Sequence, residues 1–244
     1  MAEFPLAIVT GAAHRLGRVF ALCLARRGYA ILLHYHTSRL AAEETAAEIV
    51  SLGVPVHLAQ ADLSTGTGPS DLVSALDSQL STYGSRLHVL VNSAAVMPRA
   101  DLTTASASDW DAALALNLRA PFLLAQAAAE RMPDGGLIVN VTDTGARKLW
   151  SAYPAYVVSK SALETLTRLQ AKAYAPRLRV NAIAPGLALP SADIAPEEWE
   201  RLVKRLPLQR PAATDEIASA LEFLLDNESV TGQTIIVDGG YSLV

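Results

Sequence analysis

The sequence predicts one doubly wound α/β domain: a seven-stranded parallel sheet between two layers of helices, a three-layer α/β/α stack. Three observations predict it. Short apolar runs alternate with helix-period segments along the whole chain. Several of these runs are apolar throughout, as suits strands buried on both faces of a parallel sheet. No linker, low-complexity segment or internal repeat divides the 244 residues, so a single domain is expected over 1–244.

The strands are read, in order, at 6–9 (LAIV), 29–35 (YAILLHY), 54–61 (VPVHLAQA), 88–92 (HVLVN), 136–141 (GLIVNV), 178–184 (LRVNAIA) and 234–238 (TIIVD). A first helix opens in VTGAAHRLG, directly after the first strand, and further helices are patterned over 38–51, 69–83, 108–131 and 153–175. Parallel strands joined through helices require right-handed crossovers. The stretch 187–214, rich in proline and polar residues, interrupts this rhythm between the sixth strand and the last helix. An insertion at the carboxyl edge of a sheet suits a substrate lid.

Composition narrows the function. Hydrophobic residues make up 51% of the chain and charged ones 18%, enough for a large core. A net charge of −4 gives no reason to expect nucleic acid or an anionic membrane as partner. Cys23 is the single cysteine and lies in an apolar helical run, so it reads as a buried structural thiol. MAEFPLAIVTG lacks the basic start of a leader, and no apolar run reaches the roughly 20 residues of a bilayer span. A soluble cytoplasmic protein that acts on a small molecule is expected, with no metal site.

Ligands of open α/β sheets bind beyond the carboxyl ends of the strands. Gly11 and Gly17 follow the first strand and open the first helix, whose free N–H groups, with Leu16 among them, suit a pyrophosphate. Arg15 stands where such a turn would carry a second glycine. Its side chain either faces ligand or snorkels at the helix start. The second strand ends in Tyr35, His36, Thr37, Ser38 and Arg39, with no carboxylate before Glu43. Hydroxyls, a histidine and an arginine favour the extra phosphate of NADP(H) over NAD, although Thr37 and Ser38 also suit a helix cap. After the third strand Ala61, Asp62 and Leu63 suit the adenine, Asp62 facing its amino group. After the fourth, Asn92, Ser93 and Ala94 let the backbone pass close to the cofactor.

The chemistry is read from YVVSK, which puts Tyr156 and Lys160 on one helix face, four residues apart. A free tyrosine has a pKa of about 10. A lysine ammonium one turn away, with a cationic nicotinamide nearby, is expected to lower it and favour proton exchange.

TGAAHRLG, NSAA, LNLRAPF, YVVSK, RVNAIAPG and VDGGYSL together resemble the short-chain dehydrogenase/reductases over essentially the whole chain. The resemblance implies a Rossmann-type fold, Tyr156 as proton donor, Lys160 as orienter of the nicotinamide ribose, and Asn117 as support for a proton-relay water. It further implies Thr142, Pro185, Gly186 and Ala188 at the nicotinamide, and a homotetramer often closed by the C-terminal strand. Two departures stand out. Where the family usually has a serine, thirteen residues before the tyrosine, this chain has Asp143, and Arg15 replaces a glycine of the first turn. Together with LHYHTS these changes look like the pteridine reductase branch, which reduces dihydropterins or dihydrofolate with NADPH. By that resemblance Asp143 joins the relay with Tyr156 and Lys160, and Arg15 bridges cofactor phosphate and substrate. Asp143 also reads as a plain turn residue, with Thr142 or Thr144 taking a serine-like role one position away. Met97 stands where the branch usually carries an aromatic ring. Trp150 is either an aromatic wall of the substrate site or core, and Leu187 and Leu189 form the lip of the lid. A broad carbonyl or imine reductase is the alternative reading.

Overall fold

The computed structural model describes residues 4–83, 86–190 and 194–244. Seven parallel strands form one sheet in the order β3-β2-β1-β4-β5-β6-β7. They are β1 (Leu6–Val9), β2 (Ala30–Tyr35), β3 (Val56–Gln60), β4 (Leu87–Asn92), β5 (Gly136–Val141), β6 (Leu178–Pro185) and β7 (Thr234–Val237). The strand order reverses between β1 and β4, the point where a crevice opens in doubly wound sheets. Register keeps the carboxyl ends level there, since Val9 lies opposite both Leu33 and Val91.

Period-two alternation builds two cores. Ala7 and Val9 of β1, with Ile31, Leu33, Val89, Val91 and Val139, face α1 (Arg15–Arg26), α2 (Arg39–Ser51) and α9 (Thr214–Asp226). Leu6 and Ile8, with Leu32, Leu90, Ile138 and Val180, face α3 (Gly68–Tyr83), α5 (Ala120–Arg131) and α7 (Pro154–Tyr174). Fully burying one leucine such as Leu72 or Leu76 contributes about 1.5–3 kcal/mol. Every residue of β1, β2 and β5 is buried, including the polar His34 and Asn140 set among their apolar residues. The outer strands β3 and β7 are mostly half-exposed, because a sheet edge leaves a flank in water. Cys23 is buried in α1, and burial raises its thiol pKa to about 11, as suits a structural role.

The helix expected over 108–131 is three pieces: α4 (Ala107–Leu114), a π-helical turn (Ala115–Arg119) and α5. One expectation needs correction here. Taken as a continuous helical run, Ala107–Arg131 is long and apolar enough to cross a bilayer. Its apolar residues Ala120, Leu124, Ala125 and Ala128 lie in the second core. The segment after β6 contains α8 (Pro196–Lys204), and residues 191–193 of the expected lid lie outside the described residues. Within it Leu187 and Leu206 form a satellite cluster with Tyr241, flanked by Trp150, Trp199 and Leu202.

Candidate active site

The residues singled out in the sequence converge on the carboxyl ends of β1 to β6. Gly11 leaves β1 with φ +63°, a left-handed conformation, and an added Cβ would lie 2.9 Å from the Ala94 Cα. A Cβ on Gly17 would lie 2.1 Å from the Gly11 carbonyl oxygen. Only glycine fits either place. No side chain caps α1, which leaves its first N–H groups, that of Leu16 among them, without a side-chain partner. Thr10 Oγ accepts from the N–H groups of both Ser93 (2.9 Å) and Ala94 (3.0 Å), tying the β4 end to the turn.

Arg15 takes the left-handed backbone itself, at φ 52°. Its guanidinium forks onto the carbonyl oxygens of Leu189 and Pro190, each at 2.9 Å. The arginine therefore links the glycine turn to the segment after β6. At the end of β2 the Tyr35 side chain is buried, while His36 and Thr37 are exposed and Ser38 half-buried. His36 Nε2 lies 3.8 Å from Asp62, which also accepts from the Ser64 N–H and hydroxyl. Those two bonds hold the Asp62 carboxyl below its ordinary pKa. Ala61 and Leu63 are buried on either side.

Beyond β5, Asp143, Tyr156 and Lys160 come together. Tyr156 Oη donates to Asp143 Oδ2 at 2.7 Å, and Asp143 Oδ1 accepts from the Gly145 N–H at 2.6 Å. Lys160 is buried, donates to the Val141 carbonyl at 2.7 Å, and sits 5.8 Å from the Tyr156 ring centre. Burial lowers the Lys160 pKa to about 8, with Asp143 opposing. Burial raises that of Asp143, opposed by the Gly145 N–H, Tyr156 and Lys160. The expected lowering of the Tyr156 pKa is corrected: burial and then the negative Asp143 raise it well above 10. Burial is the larger cause, and charge order adds to it. The carboxylate touches the phenol while the ammonium lies farther off, so the tyrosine is held as a neutral acid.

Asn117 lies buried in the π turn, a helical irregularity frequent at functional sites. Its Oδ1 accepts from the Val96 N–H, and its Nδ2 donates to the Val96 carbonyl, each at 2.9 Å, and to Ser159 Oγ at 3.0 Å. Both amide protons are thus committed to holding the β4 loop beside α7. Met97, next along that loop, is 38% exposed at its mouth. Trp150 packs over Gly145 and against Tyr153 and Tyr241, whose ring centres lie 6.2 and 6.0 Å away. Leu187 joins it in the satellite cluster. Thr142 is buried with its hydroxyl on the Ile183 carbonyl, and Thr144 on that of Pro185. Neither hydroxyl holds the Tyr156 proton; Asp143 does. Gly186 approaches Asp238 so closely that a Cβ would lie 2.5 Å from the Asp238 Cβ, and Ala188 follows half-buried.

Sequence reasoning missed the supports of these groups. Thr45, Ser159 and His34 are all buried and hydrogen-bonded to the site loops. A histidine inside the apolar run AILLHY was the one signal available.

The family model described as Enoyl-(Acyl carrier protein) reductase matches residues 11–242. The chain belongs to the short-chain dehydrogenase/reductase family and is an oxidoreductase. It is 33% identical to 1-cyclohexenylcarbonyl-CoA reductase of Streptomyces collinus, over 98% of this chain and 87% of that protein. Among solved structures it is similar to FolM Alternative dihydrofolate reductase 1 from Brucella canis complexed with NADP. That likeness has 36% identity and a TM-score of 0.90, over 98% of this chain and 94% of that one. It is also similar to the angucycline C-6 ketoreductase LanV with bound NADP, at 32% identity and a TM-score of 0.94, over 98% and 96% of the two chains.

Proposed function

We propose that this chain is an NADPH-dependent reductase that reduces a C=N bond of a dihydropterin- or dihydrofolate-like heterocycle. The observation that carries the reading is the Asp143–Tyr156 hydrogen bond of 2.7 Å, a carboxyl group where a carbonyl reductase needs a neutral hydroxyl. Likeness to an alternative dihydrofolate reductase with NADP bound supports it.

The crevice suits the coenzyme. The Gly11–Gly17 cradle, which a Cβ would fill, and the uncapped start of α1 would take the pyrophosphate. His36, Thr37, Ser38 and Arg39, which pairs with Glu43 at 2.8 Å, would take the extra phosphate, and Asp62 the adenine. Pro185, Gly186 and Ala188 would border the nicotinamide. Bound NADPH supplies a hydride to the carbon of the C=N bond. The residues of the chain manage the proton. Tyr156 donates from Oη to the nitrogen, and the negative charge this would leave is met by Lys160. Asp143, its Oδ1 pinned by Gly145, can hold a proton near Tyr156 because burial raises its pKa.

A second reading, a reductase of ketones or cyclic imines, is favoured by Met97, an exposed aliphatic side chain where a rigid aromatic wall would grip a pterin, and by the likeness to LanV. One assay separates them: NADPH oxidation with dihydrobiopterin, dihydrofolate, ketones and cyclic imines side by side. Saturable turnover confined to pteridines supports the first reading, and turnover of ketones or imines without pteridine activity replaces it with the second.

Two wider features belong to the same proposal. Trp110, Phe122, Val158 and Leu169 expose apolar surface on α4, α5 and α7, and Phe223, Ile236, Leu243 and Val244 expose more near the C-terminus. Two such patches suit burial between copies of the chain, consistent with a homotetramer. A cytoplasmic location accords with the NADPH requirement.

A further inference from the structure

His34 is the fifth residue of β2 and is 2% exposed. A histidine here has no hydrophobic reason to be buried, and burial pushes its pKa down to about 4 against the opposing pull of the Ala61 carbonyl. The other charged groups that face it are His36, which lowers that pKa further, and Asp62, which raises it. Its ring spans two of the loops assigned to the coenzyme. Nδ1 accepts from the Gly11 N–H at 3.1 Å, and Nε2 lies 3.0 Å from the Ala61 carbonyl oxygen. Because an N–H must face a lone pair, the neutral ring carries its proton on Nε2. The main chain repeats the contact, with the Ala12 N–H donating to the His34 carbonyl at 2.9 Å. From the far side Thr45 Oγ donates to the Ala13 carbonyl at 3.0 Å.

We propose that His34 is a positioning residue for NADPH: its imidazole staples the Gly11 turn to the Ala61–Asp62 end of β3 and so sets the spacing between the pyrophosphate and adenine subsites. The turn needs this external support because Arg15 stands where a further glycine would ease its path, and holds a left-handed backbone at φ 52°. The imidazole acts on Gly11 from β2, out of reach of the reacting bond at Tyr156. The proposal rests on the coenzyme half of the reading above and is independent of which substrate is reduced.

Two isosteres divide the ring. The Oδ1 of asparagine replaces Nδ1 and keeps an acceptor for Gly11, whereas the Nε2 of glutamine replaces the ring Nε2 and keeps a donor for Ala61. The test is NADPH affinity, read by quenching of intrinsic fluorescence, for wild type, His34→Asn, His34→Gln and His34→Leu, with melting temperature and kcat at saturating NADPH for each. Expected is a Kd within about threefold of wild type for His34→Asn, and at least about tenfold weaker for His34→Gln and His34→Leu, with kcat nearly unchanged. A merely structural histidine would lower the melting temperature in all three without splitting the two isosteres, and that outcome overturns the proposal. So does a His34→Leu protein that binds NADPH as wild type does. Should the variants not fold, nitrogen-15 spectra of the wild-type imidazole with and without saturating NADPH decide: a ring protonated at Nε2 whose Nδ1 resonance moves on binding upholds it, and one that binding leaves unmoved overturns it. A ring protonated at Nδ1, or titrating near its ordinary pKa, overturns it. Wild-type protein that binds no NADPH removes the coenzyme reading and this proposal together, whereas binding that is equal across the variants removes this proposal alone.

Discussion

The Tyr156 hydroxyl spends its proton on Asp143 Oδ2, 2.7 Å away, while the other oxygen of that carboxylate is held by the Gly145 N–H. The proposed acid and its partner are therefore fixed relative to the end of β5 before any substrate arrives. Fixing both groups removes their reorganisation from the reaction, where a misplacement of 1 Å can cost about a hundredfold in rate.

Tyr156→Phe removes the acid and keeps the ring. Turnover is expected to fall by about 10²–10⁴-fold, with NADPH affinity unchanged. Steady-state kinetics beside a fluorescence titration read both, and normal turnover would refute the proton-donor role.

Asp143→Asn keeps the shape but cannot store the proton, so turnover of a dihydropterin should drop by roughly 10²-fold. Asp143→Ser restores a neutral hydroxyl and should raise the ratio of ketone to pteridine turnover. The substrate panel measures both, and a ratio unmoved by either change would detach Asp143 from substrate choice.

Arg15→Gly has opposing effects that different measurements separate. Glycine relieves a left-handed backbone that costs a larger residue roughly 1 kcal/mol, so the melting temperature should hold or rise. Losing the fork onto Leu189 and Pro190 should speed proteolysis after β6 and raise the KM of a pteridine more than that of a simple ketone. An equal rise for both substrates would confine Arg15 to holding the loop.

Stability should depend on acid through His34. Its folded pKa of about 4 lies below the ordinary 6.5, so between these values the unfolded chain binds the extra proton. Stability then rises with pH across that window, by about 3 kcal/mol for this group, and the contribution is complete above about pH 6.5. Urea melts at several pH values, compared between wild type and His34→Asn, should show the slope diminish in the variant.

Lys160, lowered to about 8, loses its charge on the alkaline side of neutrality. The kcat/KM profile should fall above about pH 8, and Lys160→Arg should shift that fall upward by keeping the charge, at reduced activity. A limb that stays in place would assign it to another group.

The sequence by itself determined the sheet and its strands and brought out the residues proposed to carry the chemistry, because these depend on local pattern. The runs LAIV, AILLHY and GLIVNV are fully buried, and YVVSK places Tyr156 and Lys160 on one helix face through the 3.6-residue repeat. Tertiary structure alone decided which charge Tyr156 feels. Asp143 lies 13 residues away in sequence yet in hydrogen-bond contact, nearer than the lysine one turn on, so its charge adds to burial in raising the pKa of the phenol. The π turn at Asn117 and the fork from Arg15 to Leu189, 174 residues distant, were equally invisible. So was the role of His34, whose partners Gly11 and Ala61 come from strands on its two sides. Local periodicity reports which face of a strand or helix is buried. It does not report which loop ends the sheet brings within 3 Å of one another, and in this protein those contacts set the protonation states on which the proposed chemistry depends.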